Sequence, residues 1–76
     1  MKAMIEEMVK GLVDSPESVR INEVASPGMV TYEVTVDEKD LGKVIGRDGR
    51  IAGALRVIAR AVAARDKRDA QVEIMS

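Results

Sequence analysis

Gly46-Arg47-Asp48-Gly49 sets two glycines three positions apart, behind the apolar pair Val44-Ile45 and ahead of Arg50-Ile51. Residues of these types at this spacing suit the binding of an oxyanion. Each glycine takes a side chain out of the turn, so another chain's backbone can approach closely and positive φ is open to it. A helix that starts after such a turn points its first free N–H groups outward, and these together with the helix dipole favour a negative charge. Phosphate is the natural guest. The spacing alone decides nothing: with glycine near ~7% of residues, a G-x-x-G arises by chance in roughly a third of chains this long. Taken by itself it reads as a tight turn between two helices with glycine at a helix end. The rest of the chain has to decide.

The 76 residues include no Cys and no His, which removes disulfides, Cys/His zinc sites, thiol nucleophiles and His-based triads together. The turn also lacks the G-x-x-x-x-G-K-[ST] pattern of a nucleotide-binding P-loop. Asp37, Glu38 and Asp40 read as caps and solvated charges, so no metal, cofactor or catalysis is expected. Residues 1–76 make one small domain, near the lower size at which an apolar core suffices unaided, and 46% hydrophobic residues supply that core. The N-terminus is charged and amphipathic without an apolar h-region, and no run approaches eighteen apolar residues. These features predict a cytoplasmic location.

Net charge is −1, which argues against a nucleic-acid partner, but the average hides a division. Between Leu41 and Arg68 stand eight basic residues (Lys43, Arg47, Arg50, Arg56, Arg60, Arg65, Lys67, Arg68) against Asp48 and Asp66, a balance of +6. The remainder carries four bases and eleven acids, a balance of −7 that restores the net −1. A basic segment on an acidic scaffold suits focusing of an anion onto one face. A solvated basic helix face is the plainer reading of the same numbers.

The elements that must position the turn follow from periodicity. Ile5, Met8, Val9, Leu12 and Val13 form the stripe of an amphipathic helix expected to end near Asp14, because Pro16 disfavours helical geometry at Ser15. Ser18 to Ser26 reads as a strand in which the alternation slips between Ile21 and Val24, suggesting a bulge or an edge position near Asn22-Glu23. Ser26-Pro27-Gly28 is a turn. Val30, Tyr32, Val34 and Val36 alternate with Thr31, Glu33, Thr35 and Asp37, a half-buried strand that pairs antiparallel with the first. Asp37 then caps a short helix, with Asp40 at its third position and Val36 and Leu41 as a hydrophobic staple. After the glycine turn a longer helix begins near Arg50, its core stripe predicted as Ile51, Leu55, Ile58 and Val62. Gln71 to Met75 closes the chain as a strand. The order is α-β-β-α-α-β, an α+β domain with a three-stranded sheet and helices packed on one face.

In this order, the run Leu41-Gly42-Lys43-Val44-Ile45-Gly46-Arg47-Asp48-Gly49-Arg50, followed by Ala54-Leu55-Arg56, resembles a KH domain of the prokaryotic type (type II). It is similar specifically to the small single-domain bacterial KH proteins of the KhpA family, over nearly the whole chain. The resemblance implies single-stranded RNA or DNA binding in a groove about four nucleotides long, with the glycine loop clamping the sugar-phosphate backbone. It makes Gly46 and Gly49 the loop glycines, Arg47 and Asp48 its variable pair, and Val44 and Ile45 part of an apolar groove beneath the bases. Lys43 and Arg50 flank the loop as phosphate partners. It also implies self-association, or pairing with a larger KH-containing protein of the Jag type, and work as an RNA chaperone or post-transcriptional regulator in cell envelope growth or division.

Two residues depart from the pattern. Asp48 brings a carboxylate close to where phosphate should lie, and Ala52 stands where G-x-x-G-x-x-I would have isoleucine, implying a shallower groove floor. With no Phe or Trp, and Tyr32 expected in the core, aromatic stacking is not available for recognition. A second reading is a protein-interaction module. Gly53, Val57, Ala61 and Ala64 form a second strip on the long helix, suited either to a dimer interface or to packing on the first helix. A helix-turn-helix DNA reader fits less well, given the three strands and no Asn, Gln or Ser opening the second helix.

Overall fold

The computed structural model describes residues 1–76 as helix α1 (Lys2–Lys10), strands β1 (Arg20–Ser26) and β2 (Met29–Thr35), helices α2 (Leu41–Ile45) and α3 (Arg50–Ala64), and strand β3 (Asp69–Met75). This is the α-β-β-α-α-β order that the periodicity predicts. The sheet runs β1-β2-β3. β1 lies antiparallel to β2, from Arg20 opposite Thr35 to Ser26 opposite Met29 across the Pro27-Gly28 turn. β3 lies parallel to β2, from Met29 beside Asp69 to Thr35 beside Met75, so α2 and α3 form the crossover between them.

Alternation in β2 sends Val30, Tyr32 and Val34 to the inner face, where they join Ile21 of β1 and Ala70 and Val72 of β3. Ile5 and Val9 of α1, Val44 of α2, and Leu55, Ala59 and Ala63 of α3 complete one core, which puts all three helices on that face. The other face is wet and polar, and Asn22 Nδ2 donates to Glu33 Oε1 across it at 2.7 Å.

Several expectations need correction. The register of β1 is continuous, with no bulge at Asn22-Glu23. Ile21 and Val24 are three apart because they point to opposite faces, Ile21 under the helices and Val24 into solvent on an edge strand. The deepest positions of α3 are Ala52, Leu55, Ala59 and Ala63, one step round from the predicted stripe, while Ile51, Ile58 and Val62 are half-buried flanks. Where a helix lies closest to a sheet only a methyl group fits, and larger side chains pack to either side.

Helix α1 ends at Lys10, a turn before Asp14. The reason is a contact formed elsewhere. Asp40 is 0% exposed. It does not serve as a third-position cap: its Oδ2 accepts the Ser15 N–H at 3.0 Å and its Oδ1 the Asp14 N–H at 3.2 Å. A helix carried through to Asp14 would turn the last of those amides back on itself. Asp37 does cap, accepting from the Lys39 N–H at 3.0 Å, over a 3-10 turn that leads into α2.

Asp40→Ala leaves a buried amide without a partner and is expected to cost about 2–4 kcal/mol, and Asp40→Asn, which keeps one acceptor oxygen, about 1–2 kcal/mol. Urea unfolding measures both. A loss below about 0.5 kcal/mol, the range of ordinary surface changes, would remove Asp40 as the tie between the α1–β1 connection and α2.

Candidate functional site

The glycine turn is built by steric exclusion. α2 closes with the Gly46 N–H donating to the Gly42 carbonyl at 2.9 Å. Gly46 then takes φ 79° and ψ 173°, a conformation essentially confined to glycine. A Cβ there would sit 2.7 Å from Cγ1 and 3.0 Å from Cβ of Ile51, closer than packed carbons come. Ile51 therefore fills the space that the missing side chain leaves. The Gly49 N–H closes the turn onto the Gly46 carbonyl at 3.2 Å. Asp48 (φ 56°) and Gly49 (φ 75°) are both left-handed. Asp belongs to the few side chains that accept that region, which gives Asp48 a backbone reason to stand in the loop. Gly49 caps α3 with no side chain, so the first amides of a 15-residue helix receive no side-chain cap.

Charged groups around the turn fall into two sets. Arg47, Asp48 and Arg50 are exposed and make no ion pair or side-chain hydrogen bond within the chain, so Asp48 is neutralised by neither neighbour. Lys43 is engaged: its Nζ bonds the Asp14 carboxylate and lies 3.9 Å from Asp40 Oδ1. The hydrogen bond and charge of Lys43 hold the Asp14 carboxyl below the usual carboxylate range, and the hydrogen bond to Asp14 leads the causes that raise the Lys43 ammonium. A depressed Asp value contributes stability above about pH 4 and loses it as pH falls through that value.

The apolar residues before the turn divide as well. Val44 is fully buried in the core, and Ile45 alone is exposed at the surface beside the loop. Ala52 is buried, so it lines no surface groove. Tyr32 is buried too, and desolvation, followed by Glu23, pushes its hydroxyl above the usual tyrosine value. The chain's single aromatic ring is thus closed to stacking. Gly53, Val57, Ala61 and Ala64 do not pack on α1. Val57 is 67% exposed, Ala61 and Ala64 are also exposed, and a Cβ at Gly53 would meet nothing within 4 Å.

Sequence reading counted Arg56 and Arg60 in the basic segment without giving them a further role. With Gln71, Val72 and Glu73 at the free edge of β3 they line a cleft of about 220 Å³. Arg60 Nε is steadied there by the Ala70 carbonyl at 3.5 Å and Asp69 Oδ1 at 3.6 Å. The four-residue spacing of the two arginines was the available signal. Their proximity to β3 follows only from the sheet order. The chain contains no cluster of three acidic, His or Cys residues able to hold a metal, and no helix long and apolar enough to cross a membrane.

A mixed three-stranded sheet with a glycine turn between its two crossover helices invites comparison with known families. The model of the KhpA/KhpB KH domain matches residues 2–74. The chain belongs to this family. Its fold is the KH fold in the α-β-β-α-α-β, type II order. It is similar to the RNA-binding protein KhpA of Clostridium perfringens, 43% identical over 75 residues that cover 99% of this chain and 100% of the relative. The RNA-binding protein KhpA of Chlamydia trachomatis is 43% identical over 75 residues, 99% of this chain and 96% of its own. That of Oceanobacillus iheyensis is 49% identical over 61 residues, 80% and 81% of the two chains. No solved structure matches the chain.

In this KH domain the loop geometry is tied to α3 through Gly46 and Ile51. Gly46→Ala is expected to destabilise by about 2 kcal/mol or more through backbone strain and the collision with Ile51 together. Gly49→Ala, with open space around its Cβ, should cost about 1 kcal/mol from its left-handed φ alone. Denaturant melts of both, and of Gly46→Ala/Ile51→Ala, separate the two terms. If Ile51→Ala returns none of the Gly46→Ala loss, the steric account is wrong.

Proposed function

We propose that this chain is a non-catalytic, cytoplasmic, single-stranded RNA-binding protein whose Gly46–Gly49 turn clamps the sugar-phosphate backbone. The observation that carries this reading is the loop itself: a turn with glycine at each end, set against the uncapped amides of α3, with two guanidinium groups, Arg47 and Arg50, that nothing in the chain engages. The names of the matched relatives support it. On this reading the strand passes Gly46 to Gly49, rests on Ile45, and continues toward Arg56 and Arg60, about 15 Å along α3 from Arg50 to Arg60. Lys43 joins the phosphate contacts if it is released from its carboxylates, and Val44, buried in the core, anchors α2 beside the loop. The family's expected role, RNA chaperone or post-transcriptional regulator in cell envelope growth or division, is the process we assign.

Recognition without stacking rests on aliphatic contact and charge, so one copy binds weakly and linked copies compensate through effective concentration. The exposed strip Gly53, Val57, Ala61 and Ala64 favours a second, compatible role as an interface, with another copy or with a larger Jag-type KH protein. Its support is the apolar side chain of Val57, 67% exposed on α3 beside the exposed Ala61 and Ala64.

Arg47→Asp keeps both glycines and should lower affinity for a fluorescent single-stranded RNA pool by about tenfold or more at low salt, with circular dichroism unchanged. Unchanged binding removes the loop as the clamp. The wild-type log–log salt slope should be about −2 to −3, from three or four phosphate contacts on a single strand. Asp48→Asn keeps a residue tolerant of the left-handed region and removes the negative charge, so affinity should rise about two- to fivefold with no change in melting.

Val57→Glu tests the strip by sedimentation: a folded monomer where the native chain associates supports an interface. A native chain that stays monomeric at high concentration, alone and with a Jag-type partner, ends that reading.

A further inference from the structure

Of the three basic residues that flank or occupy the loop, Lys43 is the one that the chain itself occupies. Its two carboxylates are not equivalent. Asp40 has no exposed surface, and both its oxygens already accept backbone N–H groups, at 3.0 and 3.2 Å. Asp14 has a side chain 70% exposed, and Lys43 is its one side-chain partner. The Asp14 side chain is nevertheless not free to wander. Its own N–H is held by Asp40, so its Cα is fixed beside the last turn of α2, where Lys43 stands one turn before Gly46.

A carboxylate oxygen accepting from an ammonium makes the same charge-assisted bond that a phosphate oxygen would make. We propose that Asp14 is an internal competitor of nucleic-acid phosphate for Lys43, and so sets the affinity and the salt dependence of the loop. This rests on the reading of that loop as a phosphate clamp. Binding then exchanges one ion pair for another at Lys43. The phosphate gives up a condensed cation, but the freed Asp14 carboxylate stays beside it and holds one back, so Lys43 adds little net to the salt slope. With Asp14 uncharged, Lys43 becomes a full phosphate partner. The depressed Asp14 and raised Lys43 titrations agree with a pair that is formed in the free protein.

The test is a cycle of variants measured against the same short single-stranded RNA pool over a range of salt. Asp14→Asn should bind about three- to fivefold tighter, with a slope steeper by about 0.7. Glu17→Gln makes the same change in net charge at an exposed side chain that contacts no lysine, and should leave both nearly unchanged. In Asp14→Asn/Lys43→Gln the gain should vanish. Carbon NMR of the Asp14 carboxyl should show a depressed titration in the free protein that moves up to the usual range when RNA saturates it.

Asp14→Asn binding no better than Glu17→Gln overturns the proposal, as does a gain that survives loss of Lys43, or an Asp14 titration that RNA does not move. Arg47→Asp, run alongside, keeps the two failures apart. Binding that survives in Arg47→Asp sinks the clamp whatever Asp14 does, whereas loss in Arg47→Asp with a silent Asp14 cycle sinks the competitor alone. Absence of RNA binding by every variant overturns both.

Discussion

A carboxylate taken wholly out of water loses several kcal/mol of hydration unless its oxygens are filled. Asp40 is in that position, and its filling determines much of the chain's course. Two backbone amides from the α1–β1 connection supply the hydrogen bonds, so that connection must leave helical geometry before Asp14 and run back across the start of α2. α2 is too short to be stable by its own hydrogen bonds, since isolated helices need a dozen residues or more. It is held instead by Val44 in the core at one end of its turn and by Asp40 at the other. The glycine loop inherits its position from this clamp.

From there the constraint passes through contact. Gly46 must be side-chain-free because Ile51 occupies the place of its Cβ, and Ile51 is in that place because Leu55, Ala59 and Ala63 pin α3 into the core with the sheet. The loop is therefore constrained at its first glycine by the helix that follows it. On the proposed reading, a loop held this way would meet a sugar-phosphate backbone with little ordering cost left to pay. Asp48 belongs to the same geometry: a left-handed position excludes β-branched side chains and admits Asp or Asn. The carboxylate is the electrostatic cost of a residue whose backbone fits.

Where one physical rule dominated, the sequence was legible. Strict alternation in β2 reports a sheet with one wet face, and the two glycines report a turn that side chains cannot enter. The shift of the α3 stripe arose because reading by hydrophobicity weights Ile and Val, whereas the closest helix–sheet approach selects Ala. The imagined bulge in β1 arose because an edge strand only partly covered by helices shows no clean alternation. Asp40 was beyond sequence reading for another reason: its partners lie 25 and 26 residues earlier, and local patterns carry nothing across that separation. The same holds for Arg56 and Arg60 at the β3 edge. Their spacing was visible, but the parallel pairing that brings β3 beside them is a property of the whole sheet.

The two proposed roles share α3, and its charges limit how they can coexist. A parallel pairing of two copies through Gly53, Val57 and Ala61 would set Arg50 against Arg50 and Arg60 against Arg60. An antiparallel pairing centred on Val57 sets Arg50 opposite Ala64 and keeps the two Arg50 side chains about 20 Å apart along the axis. That is beyond the Debye length of about 8 Å at physiological salt, so their repulsion is largely screened. Antiparallel pairing is also the arrangement that a two-fold axis across the helix produces, in which each Val57 meets its own copy. It would leave the two glycine loops at opposite ends of the paired helices, uncovered and facing apart. A single RNA strand reaching both would be held by two weak clamps at once, which is how a chain without aromatic platforms can bind firmly without a tighter loop.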